Sequence, residues 1–421
     1  MRITLLTQYY PPEIGAPQAR ISALASAFAA RGHDVTVLTA MPSYPRGRIY
    51  PGYGGLVRRE GENGVRVIRT PIFPTQKADF VRRLTNYFSF VFSASTLGAL
   101  FLKPCDFVMV ESPPLFLGLA GVWLSWLKRA SMIFNVSDLW PESAVRLGVL
   151  RTDSMAYRLS AWLEAFCYRR ASLVTGQTGE IVSDIATRFP GCRTYHLSNG
   201  VNNRVFHPSR ATDAARAQVG ASAETCVALY AGLHGLAQGL EQVLDAAQQL
   251  SGDSRLQIVF LGDGPVKKKL MRCARERGLT NVRFLDPVPS HEVPPLLAAA
   301  DIVIVPLATH IPGATPSKLY EAMASGRPVA LVAEGEPAAL VHDHQAGIVA
   351  HPGDVAALVQ ALRTLGGDAG LRQQLGANGR RAVEQQFDRI QIGDRFVEYL
   401  EQRLEAAKQR AAGRAEPHRV V

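Results

Sequence analysis

ITLLTQYYPPEIGAPQARISALASAFAARGHDVTVLT, residues 3–39, decides the fold. Ile3 to Thr7 is an apolar strand, Tyr10 to Pro17 a Pro- and Gly-bearing loop, the alanine-rich run to Arg31 a helix closed by Gly32, and Val35 to Thr39 a second strand. A helical pattern between two buried strands is a crossover, and a crossover makes the strands parallel. The stretch predicts a βαβ unit in a parallel sheet covered by helices.

The alternation continues outward from there. Apolar strands are predicted at Val65 to Ile68, Phe107 to Val110, Met132 to Val136 and Leu173 to Thr175. A polar segment from Asn202 to Ala223 interrupts the rhythm, which restarts with Val227 to Ala231, Gln257 to Leu261, Val282 to Leu285, Ile302 to Val305 and Val329 to Val332. A chain of 421 residues suits two domains of about 200 residues each. The predicted class is α/β, with two doubly wound Rossmann-like domains facing a cleft. Their boundaries are residues 1–201 and 202–390, the first domain completed by a helix over about 391–412. The basic tail from Arg414 to Val421 reads as frayed.

Composition narrows the function classes. Apolar residues make up 47% of the chain with Gly and Pro scattered, which excludes disordered and collagen-like classes. Cys105, Cys167, Cys192, Cys226 and Cys273 are far apart with no CxxC pair, so neither a disulfide framework nor a zinc site is suggested. The first ten residues alternate like a strand, without the order of a signal peptide, and a cytoplasmic location is expected.

The net charge of +10 is uneven: residues 1–200 carry 22 Lys and Arg against 13 Asp and Glu, residues 201–421 carry 24 against 23. No helix-turn-helix, zinc-finger or RRM-like pattern accompanies the basic half, so no nucleic acid partner is expected. An anionic membrane surface is the other partner such a half would suit. Residues 84–102, LTNYFSFVFSASTLGALFL, are uncharged and long enough to span a bilayer, but six are Thr, Asn or Ser. With the run Leu115 to Leu127 and the flanking Arg82, Arg83, Lys103, Lys128 and Arg129, they suit helices lying on an anionic surface, or helices that merely cover the sheet.

Parallel sheets bind ligands beyond the carboxyl ends of their strands, so the loops there are the candidate site. In the first half, Glu13 and Gly15 lie in the first loop, Arg20 in the helix after it, and Asp138 and Trp140 follow the strand Met132 to Val136. Asp138 is placed to bind a sugar hydroxyl or polarise an attacking one. In the second half, Ala231 to Gly239 (AGLHGLAQG) and Leu261 to Pro265 (LGDGP) are glycine loops on adjacent strands. Gly232, Gly235, Gly262 and Gly264 allow close backbone approach, and His234 is a candidate donor to a diphosphate. TPSKLYEAMASGRP, Thr315 to Pro328, carries the strongest signal. Thr315, Pro316 and Ser317 open a helix, with a cap expected from Thr315 or Ser317, and Lys318 and Leu319 lie in its first turn. A cation there opposes the helix dipole unless an anion is bound, and Glu321 on the same side is placed to accept from ribose hydroxyls.

YPPEIGAPQAR, RGHDVTVLTA, SDLWPES and TPSKLYEAMASGRPV, in that order, resemble glycosyltransferase family 4, and LWPES and AQGL resemble its bacterial polysaccharide-assembly members such as fucosamine and colanic-acid transferases. The resemblance implies the GT-B fold, a nucleotide-diphosphate sugar bound by the second domain, an acceptor bound by the first, retention at the anomeric carbon and no metal or other cofactor. It places the ribose-binding glutamate at Glu321, the acceptor-side glycine loop at Gly15 and a polar catalytic position at Asp138. Two departures stand out. Gly313 occupies the place of the first glutamate of an E-x7-E pattern, and the first glycine loop has Leu233, His234 and Gln238 where an Arg and a Lys are usual. Lys318, backbone N–H groups and Arg20 are expected to grip the diphosphate instead.

The expected activity is transfer from a UDP-sugar to a polyprenyl-diphosphate-linked glycan in O-antigen, capsule or exopolysaccharide synthesis at the inner membrane face. A UDP-sugar 2-epimerase and a non-catalytic partner in a glycan-assembly complex are the alternatives. His342, Asp343 and His344 form a metal-like trio on paper only.

Overall fold

The structure is a computed structural model that describes residues 1–75, 80–146, 148–222 and 224–415. The tail expected to fray lies outside the described residues from 416 onward. The chain divides into two compact units, Met1–Ser198 with Arg389–Val421, and Asn199–Asp388.

Unit 1 runs β1 Arg2–Leu6, α1 Ala16–Ala30, β2 Asp34–Ala40, β3 Arg58–Glu62, β4 Val65–Thr70, α2 Phe80–Ser93, a π-turn Ala94–Gly98, and α3 Ala99–Phe101. It continues through β5 Phe107–Ser112, α4 Leu117–Lys128, β6 Ser131–Val136, α5 Glu142–Arg146, α6 Met155–Arg170, β7 Leu173–Gly176, α7 Gly179–Arg188 and β8 Thr194–His196. The strands form one sheet in the order β3-β4-β2-β1-β5-β6-β7-β8. All described pairs are parallel except β3 with β4. That hairpin is not among the sequence expectations, although its turn is legible. Asn63 and Gly64 take φ of 49° and 80°, the left-handed pair that an Asn-Gly turn supplies between antiparallel strands.

Strand periodicity sorts the core into two layers. Ile3, Leu5, Val35 and Val37 pack with Ile21, Leu24 and Phe28 of α1, while Leu6, Leu38, Val108 and Val110 pack under α2, α4 and α6. The uncharged run 84–102 is split between α2, the π-turn and α3, with Phe90 and Ala94 in the core and Phe92 and Leu100 in solvent. Among the described residues no helix is long and apolar enough to cross a membrane.

Unit 2 contains α8 Asp213–Val219, β9 Cys226–Ala231, α9 Leu240–Gln249, β10 Leu256–Leu261, α10 Lys267–Glu276, β11 Val282–Leu285, α11 Val293–Ala299 and β12 Ile302–Pro306. α12 Ser317–Ala324, β13 Val329–Val332, α13 Glu336–Asp343, β14 Gly347–Ala350, α14 Val355–Gly367 and α15 Ala369–Ala382 complete it. Its sheet is parallel throughout, in the order β11-β10-β9-β12-β13-β14. Strand order reverses beside β9, so the loops after β9, β10 and β12 meet at the switch point where open sheets bind ligands.

The last helix, α16 Arg389–Ala415, belongs to unit 1. Its stripe Ile392, Phe396, Val397 and Leu400 is buried with α1, and Phe396 meets the rings of Phe28 and Tyr195 at 6.3 and 5.2 Å. Glu401 adds an ion pair to Arg31 at 3.1 Å and lies 2.8 Å from His33 Nε2. Phe396→Ala is expected to cost unit 1 about 3–5 kcal/mol by opening a cavity. Urea denaturation measures this, and a midpoint unchanged from the parent would contradict the packing described.

Candidate active site

Three loops of unit 2 are stacked backbone on backbone. Gly232 N–H donates to Leu261 O (2.9 Å), His234 N–H to Asp263 O (2.8 Å) and Val266 N–H to His234 O (3.1 Å), zipping the loop after β9 to the loop after β10. A Cβ on Gly262 would lie 2.0 Å from Gly232 O, and one on Gly264 would lie 2.4 Å from His234 O. Both glycines also have positive φ, so neither position tolerates a side chain. Gly235 opens the short turn Leu236–Gln238 that leads into α9.

α12 ends on these loops. Its N-cap is Pro316, and no side chain caps it, so the cap expected from Thr315 or Ser317 is not formed. Ser317 is the first helical residue and Leu319 points into the core. The Thr315 hydroxyl is buried without a hydrogen-bond partner. Lys318 lays its side chain over Gly232, where a Cβ would come within 2.0 Å of Cε and 2.8 Å of Nζ, and its ammonium sits 6.0 Å from the Tyr230 ring centroid. No hydrogen bond or ion pair holds that ammonium among the described residues. Burial lowers its pKa, and the Glu321 carboxylate one turn on acts in the opposite sense. An uncapped helix N-terminus, an orphaned hydroxyl one residue before its cap and an ammonium in its first turn thus fall within four residues, a combination suited to a polyanion. Gly313 has φ of 77°, a left-handed conformation that accounts for glycine at that place.

His234 departs from its expected role. Its ring is fully buried against Tyr230 and Phe260 at 5.7 and 6.2 Å, and both ring nitrogens lack hydrogen-bond partners. Burial, helped by the charge of Lys267, pushes its pKa down to about 4. The residue serves through its main chain, which binds the neighbouring loop, rather than through its ring.

In unit 1 the predicted residues lie on the loops after β1 and β6 and on α1. Arg20 is buried in an ion pair with Glu111 and donates also to Ser137 Oγ and Gln177 Oε1, at 2.5 and 3.2 Å. Two of its guanidinium nitrogens are thus engaged by partners within unit 1. Glu111 accepts from Asn135 and Ser137 as well. Glu13 does not face outward. Its carboxylate accepts from the N–H groups of Ser43, Tyr44 and Tyr10 at 2.8, 2.7 and 3.2 Å, clamping the first loop to the loop after β2. Gly15 is the N-cap of α1, and no side chain caps that helix. Asp138 follows β6, and burial raises its pKa against the pull of the Ser143 hydroxyl and the Leu139 N–H. Trp140 is half-buried with its indole N–H unpartnered.

Two site-building residues escaped the sequence reading. Glu111 closes β5 as Asp138 follows β6, and an acid at the end of an apolar strand was the available signal. Lys267 opens a run of three lysines that reads as solvated. It is buried, and Nζ donates to Gly262 O, Leu285 O and Asp286 Oδ1 at 2.8, 3.1 and 3.0 Å, supporting the β10 loop from below. His342 and Asp343 sit 3.6 Å apart on the surface, and no group of three or more His, Cys, Asp or Glu suited to a metal ion forms among the described residues.

Residues 15–200 match the family described as Glycosyl transferase 4-like domain, and residues 211–382 the family described as Glycosyl transferases group 1. The chain is 26% identical over 352 residues to a putative colanic acid biosynthesis glycosyl transferase, WcaI, of Escherichia coli K12, covering 79% of this chain and 84% of that protein. Among solved structures it resembles sucrose-phosphate synthase from Thermosynechococcus elongatus (TM-score 0.72, 20% identity, 96% and 99% of the two chains). It also resembles Anabaena HepE in complex with UDP-glucose (TM-score 0.68, 18% identity, 96% and 100%). At these identities the likeness shows the fold, GT-B.

Two outcomes test the clusters. The unfolded chain holds the Lys318 proton more tightly than the folded one, so stability rises with pH between its lowered pKa and the ordinary lysine value of 10.5. Lys318→Met is accordingly expected to raise the melting temperature of the unliganded protein at neutral pH, with an advantage that shrinks as pH climbs through that window. Arg20→Met, which strands the buried Glu111 charge, is expected to cost about 3–5 kcal/mol by urea denaturation.

Proposed function

Since the chain belongs to the glycosyltransferases that join a 4-like domain to a group 1 domain, we propose that it transfers a hexosyl or N-acetylhexosaminyl unit from a UDP-sugar to a polyprenyl-diphosphate-linked glycan. The setting we propose is bacterial surface-polysaccharide assembly at the inner face of the membrane, in keeping with the colanic acid relative. The observation that carries the donor half is the half-buried Lys318 ammonium, held by no protein anion among the described residues, over Gly232 at the uncapped start of α12.

In this scheme the diphosphate lies against the N-terminus of α12, with Thr315 Oγ1 and main-chain N–H groups donating to it and Lys318 meeting its charge. Glu321 accepts from the ribose hydroxyls. The acceptor hydroxyl attacks the anomeric carbon on the face from which the diphosphate leaves. The bond from that carbon to the phosphate oxygen breaks as the new glycosidic bond forms, and the acceptor proton passes to a phosphate oxygen, so configuration is retained. Negative charge grows on the leaving diphosphate, where Lys318 stabilises it most in the transition state. Asp138, its pKa raised by burial, orients a hydroxyl in unit 1. No divalent metal has a part in the scheme.

A panel of nucleotide sugars in a thermal-shift assay identifies the donor. A ligand at one hundred times its Kd stabilises the fold by about 2.7 kcal/mol. Lys318→Met is expected to abolish that shift and to lower kcat at least about 10²-fold, while EDTA leaves turnover unchanged. An epimerised UDP-sugar formed without acceptor, or full turnover by Lys318→Met, would overturn the proposal.

A further inference from the structure

Three helices of unit 1 carry apolar side chains on both faces. α2, α4 and α6 pack side by side on one layer of the sheet, and each buries an inner stripe there. On α6 the outer positions Met155, Leu159 and Trp162 follow helical spacing and are exposed by 59% or more. On α2, Val81, Phe88 and Phe92 also follow helical spacing and are exposed, and α4 presents Trp123, Trp126 and Leu127. Three of the four tryptophans of the chain therefore stand in solvent on one layer of helices. The patch is built rather than incidental. Trp123 donates its indole N–H to Ser95 O at 3.0 Å and lies 5.2 Å from Trp126, while Trp162 stacks on Phe166 at 5.5 Å. An apolar groove of about 540 Å³ runs along α2 between Val81 and Phe92.

Charge says what covers it. Residues 80–105 and 112–137 contain no Asp or Glu but carry Arg82, Arg83, Lys103, Lys128 and Arg129. α6 adds Arg158, Arg169 and Arg170, and its one acid, Glu164, is buried in an ion pair with Arg188 at 2.8 Å. An aromatic ridge rimmed by cations matches the headgroup zone of an anionic bilayer, where indole rings sit at the interface and Lys and Arg reach phosphates. A second copy of the chain fits poorly, because a two-fold contact through this patch would set cation against cation. None of the three helices is long and apolar enough to cross, so they lie along the surface.

We propose that the outer face of α2, α4 and α6 is a docking surface for an anionic lipid bilayer, with Phe92, Trp126 and Trp162 seated among the headgroups. The proposal rests on the lipid-linked acceptor for its purpose, but its test needs no turnover. The full chain is floated with vesicles of phosphatidylcholine alone or with one quarter phosphatidylglycerol. We expect at least about tenfold more protein on the anionic vesicles, and most of it released by 0.5 M salt. Trp126→Ser with Trp162→Ser should lose that binding while circular dichroism and melting temperature stay those of the parent. Equal recovery with both vesicles, or flotation of the double variant like the parent, overturns the proposal. So does a dimer in sedimentation velocity that the double variant dissolves while neither protein floats. If the double variant misfolds, Arg82→Gln with Lys128→Gln takes its place, with the same loss expected.

Discussion

A lysine amine pressed against a glycine backbone organises the strand-end loops of unit 2. Lys318 occupies the space a side chain at position 232 would need, so the loop after β9 stays bare. That loop lies directly on the loop after β10, which leaves Gly262 and Gly264 no room for a Cβ either. Lys267 then ties the second loop to the end of β11. The chain of contacts runs from an uncapped helix to three strand ends, and each link is a main-chain approach or a buried ammonium. Each loop thus packs directly on its neighbour.

Unit 1 solves a related problem with side chains. Glu111 gathers Arg20, Asn135 and Ser137, and Glu13 gathers three main-chain N–H groups from two loops. Both acids are buried and fully engaged, so they shape the loops around Asp138 instead of meeting a ligand. Asp138 lies just beyond the end of β6, and burial raises its pKa as it does that of Glu13. A carboxyl poised in this way beside a strand end suits the handling of a hydroxyl proton or hydrogen bond.

The helices on the outer side of unit 1 are apolar on two faces. Their inner stripes fill the core, and their outer stripes carry Trp, Phe and Leu where surface helices ordinarily turn polar.

Strand and helix periods, the closing Gly32 and the loop glycines were readable directly, because buried parallel strands and crossover helices impose those patterns locally. Lys318 stands out in the sequence because a cation in the first turn opposes the helix dipole, and Glu321 because it follows on the same side of that helix. The Asn-Gly hairpin of β3 and β4 was readable in principle but hidden by its polar strands. Only the tertiary structure decided which polar groups face a ligand. His234 and Glu13 stand in loops that sequence alone marks as sites, yet packing turns one ring into the core and surrounds the other carboxylate with main-chain donors. Lys267 reads as one of three solvated lysines until the fold buries it. Sequence specifies which residues a loop carries and how its backbone bends; the direction of each side chain depends on neighbours brought from distant strands, which no local pattern encodes.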